Sequence, residues 1–226
     1  CSPTRYGLLT GRYPWRSEMK RNVLWPWDKP LIEKGRLTLP AMLKNNGYRT
    51  ACIGKWHLGM TLQEKGDLNQ PIPNNPTTRG SDEFFGIRAS LDMPPYAFIQ
   101  NDRFTAPVDT EKELYKDRRG PAQTDFEAVD VLPTLTRKAV EYIHEKAAAK
   151  KPFFLYLALT APHTPIAPSK EWRGKSDLGD YGDFVMQVDG TVGEVFGTRS
   201  DGKVVVRVGS LKLVVEPAGL TPVAGP

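Results

Sequence analysis

The sequence has 226 residues, of which 39% are hydrophobic, and a formal net charge of +5 from 31 basic and 26 acidic side chains. Its mean hydropathy of −0.44 and the lack of an apolar run of ~20 residues argue against a membrane span. The scattered basic residues make nucleic acid an unexpected partner, and two cysteines, Cys1 and Cys52, are too few for a disulfide framework.

The first predicted element is a short helix over "SPTRYGLLTG". Pro3 suits the first turn of a helix, and Gly11 suits the position after the last turn. Cys1 then lies at the helix N-terminus, where free backbone N–H groups and the helix dipole favour an anion. Arg5 is four residues further on and shares a helix face with Cys1.

A helix, a strand and a hairpin are predicted next. The helix begins after the capping residue Thr38 and ends at Gly47, and "RTACIGKW" follows as a short strand. Cys52 in that strand is expected to be a small buried hydrophobic residue. The stretch "YAFIQNDRFT" is typical of a hairpin, with Asn101 and Asp102 at the turn.

A second helix-then-strand unit follows. The helix "LPTLTRKAVEYIHEKAAAK" precedes "PFFLYLALT", whose continuous apolar run predicts a central strand at residues 153–160, buried on both faces. The stretch "DYGDFVMQVDGTVGEVF" is predicted to be a further amphipathic helix. Helices that alternate with such strands predict an α/β fold with a mostly parallel sheet flanked by helices.

The character of the sequence changes at residue 197. Two β-rich runs, Lys203–Val208 and Leu211–Val215, predict a peripheral β-hairpin, and the last ten residues are expected to be disordered because they have little to bury. We therefore divide the sequence into a first domain, residues 1–196, and a C-terminal hairpin and tail, residues 197–226.

Three basic side chains follow the predicted strands, where open α/β sheets bind their ligands. Lys55 and His57 share one face at the end of "RTACIGKWHLG", and His163 follows the apolar strand in "TAPHTP". We expect these residues to meet Cys1 and Arg5 in one cleft. Fixed positive charges, together with imidazoles that can protonate a leaving oxygen, suit an anionic tetrahedral group. Each residue taken singly is also compatible with a solvated charge or a structural hydrogen bond.

Three stretches carry a resemblance to a known family. "CSPTRYGLLTGRYP" resembles the first signature of the sulfatases, Cys-x-Pro-Ser/Thr-Arg followed by a Leu-rich stretch and Thr-Gly-Arg. "GYRTACIGKWHLG" resembles their second signature, and "FFLYLALTAPHTP" is similar to the strand and histidine loop that follow. The resemblance covers residues 1–196. It implies an alkaline phosphatase-like fold and an interior fragment of a sulfatase of the arylsulfatase or N-acetylgalactosamine-6-sulfatase type.

The resemblance implies hydrolysis of a sulfate monoester. Cys1 would be converted to formylglycine by a formylglycine-generating enzyme. One hydroxyl of the hydrated aldehyde would attack sulfur, and the other would expel the sulfate. Arg5 would hold this diol, and Lys55 and His57 would contact the diol and the sulfate. His163 would bind sulfate or protonate the leaving oxygen.

The resemblance also implies a Ca²⁺ ion that polarises the sulfate. Its ligands would be the modified Cys1, an Asp pair upstream of the cysteine and an Asp-Asn pair near a later strand. Of these, the sequence matches only Cys1, although Ca²⁺ takes about six to eight oxygen ligands. Asp183 and Asp189 are of the right type, but we expect them to be solvated on their amphipathic helix. Calcium-assisted catalysis is thus expected of the full-length protein, and the 226-residue chain alone is expected to be inactive.

Other functions remain open at this point. A first residue that is Cys1 is compatible with an N-terminal-cysteine hydrolase, in which the α-amine serves as base. A phosphate or phosphonate ester hydrolase of the same superfamily and a non-catalytic fragment without metal ligands are further alternatives. Under the sulfatase interpretation, the substrate is a sulfated small molecule or polysaccharide. The expected location is then the periplasm or the exterior of a bacterium.

Overall fold

The computed structural model describes residues 1–62, 66–149 and 151–196, together with the backbone of residues 204–208, 211–216 and 219–221. Within these ranges there are four α-helices and ten strands. In chain order they are α1 (Ser2–Thr10), α2 (Leu39–Asn45), β1 (Arg49–Lys55), β2 (Glu83–Ile87), β3 (Ile99–Gln100), β4 (Arg103–Phe104), β5 (Thr110–Glu113), β6 (Arg119–Ala122), α3 (Ala128–Ala148), β7 (Phe153–Ala158), α4 (Gly179–Phe196), β8 (Val204–Val208), β9 (Leu211–Glu216) and β10 (Gly219–Thr221).

The main sheet has five strands in the order β4-β3-β2-β1-β7. Strand β1 lies between β2 and β7 and is parallel to both, whereas β3 and β4 add an antiparallel edge. Alternate residues of β1 face opposite layers: Cys52 packs with Tyr6 of α1, and Ile53 packs with Leu135 of α3. The α/β prediction, with helices on both faces of a sheet that is parallel at its centre, is confirmed.

Local signals placed the first elements correctly. Helix α1 ends where Gly11 takes a left-handed conformation at φ 65°, and α2 begins where the Thr38 hydroxyl accepts a hydrogen bond from Ala41 N at 3.3 Å. The hairpin of β3 and β4 turns at Asn101, whose φ is 55°. Cys52 is buried as predicted, and burial raises the pKa of its thiol to about 12.

The prediction for the apolar strand was wrong in one respect. Strand β7 pairs only with β1 in the described chain and so lies at the edge of the sheet. Its residues Phe153–Leu157 are only half-buried, because α3 covers no more than part of one face of β7. An uninterrupted apolar run was therefore mistaken for burial on both faces.

The C-terminal strands form a sheet of their own, in the order β10-β9-β8. The predicted hairpin matches the antiparallel pair β8 and β9. Within the tail that was expected to be disordered, Gly219–Thr221 instead pairs with β9 as a third strand, which was not predicted. The rest of that tail, residues 217–218 and 222–226, lies outside the described residues.

Candidate active site

Cys1 and Lys55 meet at the C-terminal end of β1. Cys1 is exposed and immediately precedes α1, and its Sγ accepts a hydrogen bond from Lys55 Nζ at 3.2 Å. The same nitrogen donates to Ser90 Oγ at 2.5 Å. Lys55 is only 2% exposed, and this burial, assisted by the charge of Arg5, lowers the pKa of its ammonium to about 8. A lysine with so depressed a pKa, beside a nucleophilic residue type, is typical of a functional site.

Arg5 connects α1 to the ends of two neighbouring strands. Its Nη1 donates to the Lys55 carbonyl oxygen and, at 3.4 Å, to the Tyr156 hydroxyl. Its Nη2 lies 3.4 Å from the carbonyl oxygen of Leu159, just beyond β7. These bonds fix the guanidinium in the corner where Cys1 lies.

His57 is buried two residues beyond β1, in the left-handed conformation with φ 53°. Its Nε2 lies 2.9 Å from the Leu24 carbonyl oxygen. Because a carbonyl only accepts, this nitrogen carries the proton. Nδ1 is buried and has no hydrogen-bond partner among the described residues, so it is a free acceptor. Burial and the charge of Lys55 lower the pKa of His57 to about 3, which keeps the imidazole neutral near neutral pH.

His163 reaches the site through a residue that the sequence analysis missed. Its Nδ1 donates to the Thr164 carbonyl oxygen at 2.8 Å, which leaves Nε2 available. The same Nδ1 lies 3.9 Å from Oδ1 of the buried Asp92. The other oxygen of Asp92, Oδ2, forms an ion pair with Arg118 Nη1 at 2.8 Å.

The five predicted residues are thus placed around one end of the sheet. Direct hydrogen bonds join Lys55 to Cys1 and to Arg5. His57 bonds the Leu24 carbonyl oxygen, and His163 lies against Asp92. Ser90 and Asp92 were missed because β2, which ends just before them, was not predicted. The rule that ligands bind beyond parallel strands would have singled them out once "DEFFGI" was taken as a strand.

The described residues do not fit a Ca²⁺ ion. Within the described part of the chain, no group of three or more His, Cys, Asp or Glu side chains could hold a metal. Cys1, the one matched metal position, faces the Lys55 ammonium instead. Asp92 offers one free carboxylate oxygen, but it lies among basic groups, whereas Ca²⁺ requires several oxygen ligands.

The prediction that Asp183 is solvated was wrong. Asp183 is buried, and its two carboxylate oxygens accept hydrogen bonds from Gly174 N and Ser176 N, each at 2.7 Å. These bonds lower the pKa of the carboxyl and hold the segment before α4. Asp189 is exposed, as predicted. Asp183 therefore has a structural role, because both its oxygens are already bonded.

Comparison with known proteins decides the family. The sequence profile described as Sulfatase matches residues 1–200. The chain belongs to the sulfatase family. It is 31% identical to an N-acetylgalactosamine-6-O-sulfatase of Bacteroides thetaiotaomicron, over 87% of this chain and 45% of that protein. It is also 31% identical to the human N-acetylgalactosamine-6-sulfatase, over 89% of this chain and 38% of that protein. This sulfatase chain thus spans less than half the length of these relatives.

Solved structures agree with the assignment. A Bacteroides thetaiotaomicron protein from work on the metabolism of multiple glycosaminoglycans superposes with a TM-score of 0.74 and 28% identity, over 86% of this chain and 48% of that one. The PsFucS1 sulfatase from Pseudoalteromonas sp. has the same fold, with a TM-score of 0.65 and 21% identity, over 86% of this chain and 41% of that one. None of the helices in the described residues is long and apolar enough to span a membrane.

Proposed function

We propose that the protein to which this chain belongs hydrolyses sulfate monoesters, with Cys1 as the precursor of a formylglycine nucleophile. The observation that carries the proposal is the 3.2 Å contact between Lys55 Nζ and Cys1 Sγ. It places a buried ammonium beside the atom that the modification would replace, at the N-terminus of α1, where a helix favours an anion. Arg5 adds a second positive charge to the same corner.

The residues of the chain can divide the work of hydrolysis. The aldehyde of formylglycine supplies, as its hydrate, one hydroxyl to attack sulfur and a second to release the sulfate. Lys55 binds the anionic group with its ammonium, and Arg5 holds α1 against β1 and β7 so that position 1 is fixed. His57 can accept a hydrogen bond from a hydroxyl of the diol at Nδ1, because its Nε2 already donates to the Leu24 carbonyl oxygen. His163 keeps one proton at Nδ1 through its bond to Thr164, so it is the doubly protonated imidazolium that delivers a proton from Nε2 to the leaving oxygen.

Calcium is assigned no step in this mechanism. The described residues lack its ligands, so we propose that any Ca²⁺ is held by residues outside this chain. The 226-residue chain alone is accordingly proposed to be inactive. The residues that do surround position 1, Lys55 and Arg5, are cationic, which suits the binding of an anionic ester.

The proposed substrate is a sulfated saccharide. The relatives named above carry N-acetylgalactosamine-6-sulfatase names, and a similar structure comes from work on glycosaminoglycan metabolism. A formylglycine-generating enzyme is the proposed maturation partner, and the periplasm or the cell exterior is the proposed location. Family membership favours this function over an N-terminal-cysteine hydrolase. A phosphate ester hydrolase is tested by offering matched phosphate and sulfate esters to the same preparation.

Mass spectrometry of the Cys1 peptide from the native source tests the proposal. We expect the mass of formylglycine in place of cysteine, while the Cys52 peptide of the same digest keeps its thiol and serves as the internal control. The full-length protein should release sulfate from a sulfate monoester, and Cys1→Ala should abolish that release. An unmodified Cys1 in a fully active protein would contradict the proposed nucleophile. A modified protein that cleaves only phosphate esters would contradict the proposed reaction.

A further inference from the structure

Trp25 is a large exposed ring beside the candidate active site. Its side chain is 59% exposed, although tryptophan usually loses most of its surface on folding. The preceding residue, Leu24, is bonded to the site on both sides of its peptide unit. Leu24 N donates a hydrogen bond to Ser2 Oγ at 3.2 Å, and the Leu24 carbonyl oxygen accepts one from His57 Nε2 at 2.9 Å. Trp25 therefore follows directly after a residue that is bonded to His57 and to Ser2, the neighbour of Cys1.

The ring of Trp25 reaches the other side of the cleft. The guanidinium carbon of Arg118 lies 5.5 Å from the centroid of the Trp25 ring, and 5.9 Å from that of Tyr115. Arg118 in turn bonds Asp92, which lies against His163. The backbone of Leu24 is thus tied to the side of the cleft with Cys1, whereas the ring of Trp25 lies against Arg118 on the side with His163.

The backbone of Trp25 is held by its own turn. Trp25 N donates to Asp28 Oδ2 at 2.6 Å, and Asp28 N donates to the Trp25 carbonyl oxygen at 3.1 Å. The buried Arg88 donates to the Asp28 carbonyl oxygen at 3.1 Å and lies 5.4 Å from the centroid of Trp27. A residue whose backbone is already ordered loses little further backbone freedom when a ligand stacks on its ring.

Arg118 is prepared to bind a polar group beside that ring. Its side chain is partly exposed, and in the described chain its hydrogen bonds use Nη1 alone, to the carbonyl and carboxylate of Asp92. The Tyr96 hydroxyl bonds the Arg118 carbonyl and anchors the residue from behind. Nε and Nη2 are therefore donors that can face a ligand.

We propose that Trp25 and Arg118 form the platform that binds the saccharide ring of the sulfate ester, with the ring stacked on Trp25 and its hydroxyl groups bonded to Arg118. This inference rests on the proposed function. A saccharide presents an apolar C–H face and a polar rim, which match an aromatic face next to a guanidinium.

Kinetics of the full-length protein tests the platform. The probes are monosulfated N-acetylgalactosamine, N-acetylglucosamine and galactose, with 4-nitrophenyl sulfate for the bare reaction and inorganic sulfate as inhibitor. The variants are Trp25→Ala and Trp25→Phe. Trp15→Ala is the matched control, because Trp15 is 57% exposed but stacks on Tyr13 and has no bond to the site residues.

We expect Trp25→Ala to lower kcat/KM for a saccharide sulfate by about tenfold, chiefly through KM, and Trp25→Phe to stay within about threefold of the wild type. Inhibition by inorganic sulfate should not change, because that anion binds at Lys55. Equal saccharide kinetics in Trp25→Ala, Trp15→Ala and the wild type would overturn the platform. So would a wild type that cleaves 4-nitrophenyl sulfate but none of the three saccharides. A wild type that cleaves no sulfate ester at all would overturn the proposed function instead.

Discussion

One nitrogen of Arg118 holds Asp92 twice, since Nη1 lies 2.8 Å from Oδ2 and 3.2 Å from the carbonyl oxygen of Asp92. The second carboxylate oxygen, Oδ1, is buried without a hydrogen-bond partner among the described residues. The negative charge is therefore kept in place near Lys55 and His163. It raises the pKa of Lys55 and so offsets part of the larger lowering that burial causes.

Replacing Asp92 should move the pH at which sulfate binding is lost. Asp92→Asn removes the charge that raises the pKa of Lys55, so the ammonium should lose its proton below the present value of about 8. Since only the protonated lysine attracts an anion, inhibition by inorganic sulfate should weaken at lower pH in the variant than in the wild type. The measurement is the inhibition constant from about pH 6 to about pH 10. Lys55→Met should lack this pH dependence, and identical profiles for Asp92→Asn and the wild type would refute the prediction.

His57 should make the protein sensitive to acid. Its folded pKa of about 3 lies below the ordinary value of 6.5, so between these pH values the unfolded state binds the proton more readily. Stability should therefore fall as the pH drops from 6.5 towards 3, by up to ~5 kcal/mol. In urea unfolding, His57→Gln should lose less stability than the wild type between neutral and acid pH. His144→Gln, at an exposed position on α3, should behave like the wild type. Parallel curves for all three proteins would show that His57 is not buried in its neutral form.

Gly86 and Gly193 should respond in opposite ways to substitution by alanine. Gly86 lies where two strands approach closely, whereas Gly193 has open space around it. A Cβ on Gly86 would collide with the carbonyl oxygen of Gly54, where β1 and β2 pair directly before Lys55. Gly86→Ala should therefore destabilise the fold by about 1–3 kcal/mol or more and reduce activity by displacing Lys55. Gly193→Ala in α4 meets nothing within 4 Å and should stabilise by up to about 1 kcal/mol. Thermal unfolding of both variants checks the contrast, and an equal effect of the two substitutions would contradict it.

The sequence was most informative where local chemistry decides the structure. Pro3 lies in the first turn of α1 and Gly11 directly follows its last residue. Both preferences depend on local backbone geometry, which neighbouring residues alone determine. Residues 153–160 were misjudged because apolar content does not reveal how many strands lie beside a strand. Asp183 was misjudged because its partners, Gly174 N and Ser176 N, are backbone groups, which no side-chain pattern reports. The site residues at recognised elements, α1, β1 and β7, were predicted, whereas Ser90 and Asp92 were missed because the strand before them, β2, was not recognised.

The division at residue 196 stays a prediction, and hydrogen exchange can test it. Strands β8 to β10 form a sheet separate from the one that carries the candidate site. We expect their amides to exchange faster than those of β1, which has a partner strand on each side. Protection of Val204–Val208 equal to that of Arg49–Lys55 would mean that the C-terminal strands unfold together with the main sheet, and the division would then be wrong.

The position of β7 at the edge of the described sheet affects how the chain behaves in isolation. One side of this strand is bonded to β1, while the other has no partner strand in the described residues. Its side chains, Phe153–Leu157, are half-buried and apolar. An open edge of this kind accepts a strand, either from elsewhere in a longer protein or from a second copy of the chain. We therefore expect β7 to be the strand through which the 226-residue chain self-associates as its concentration rises.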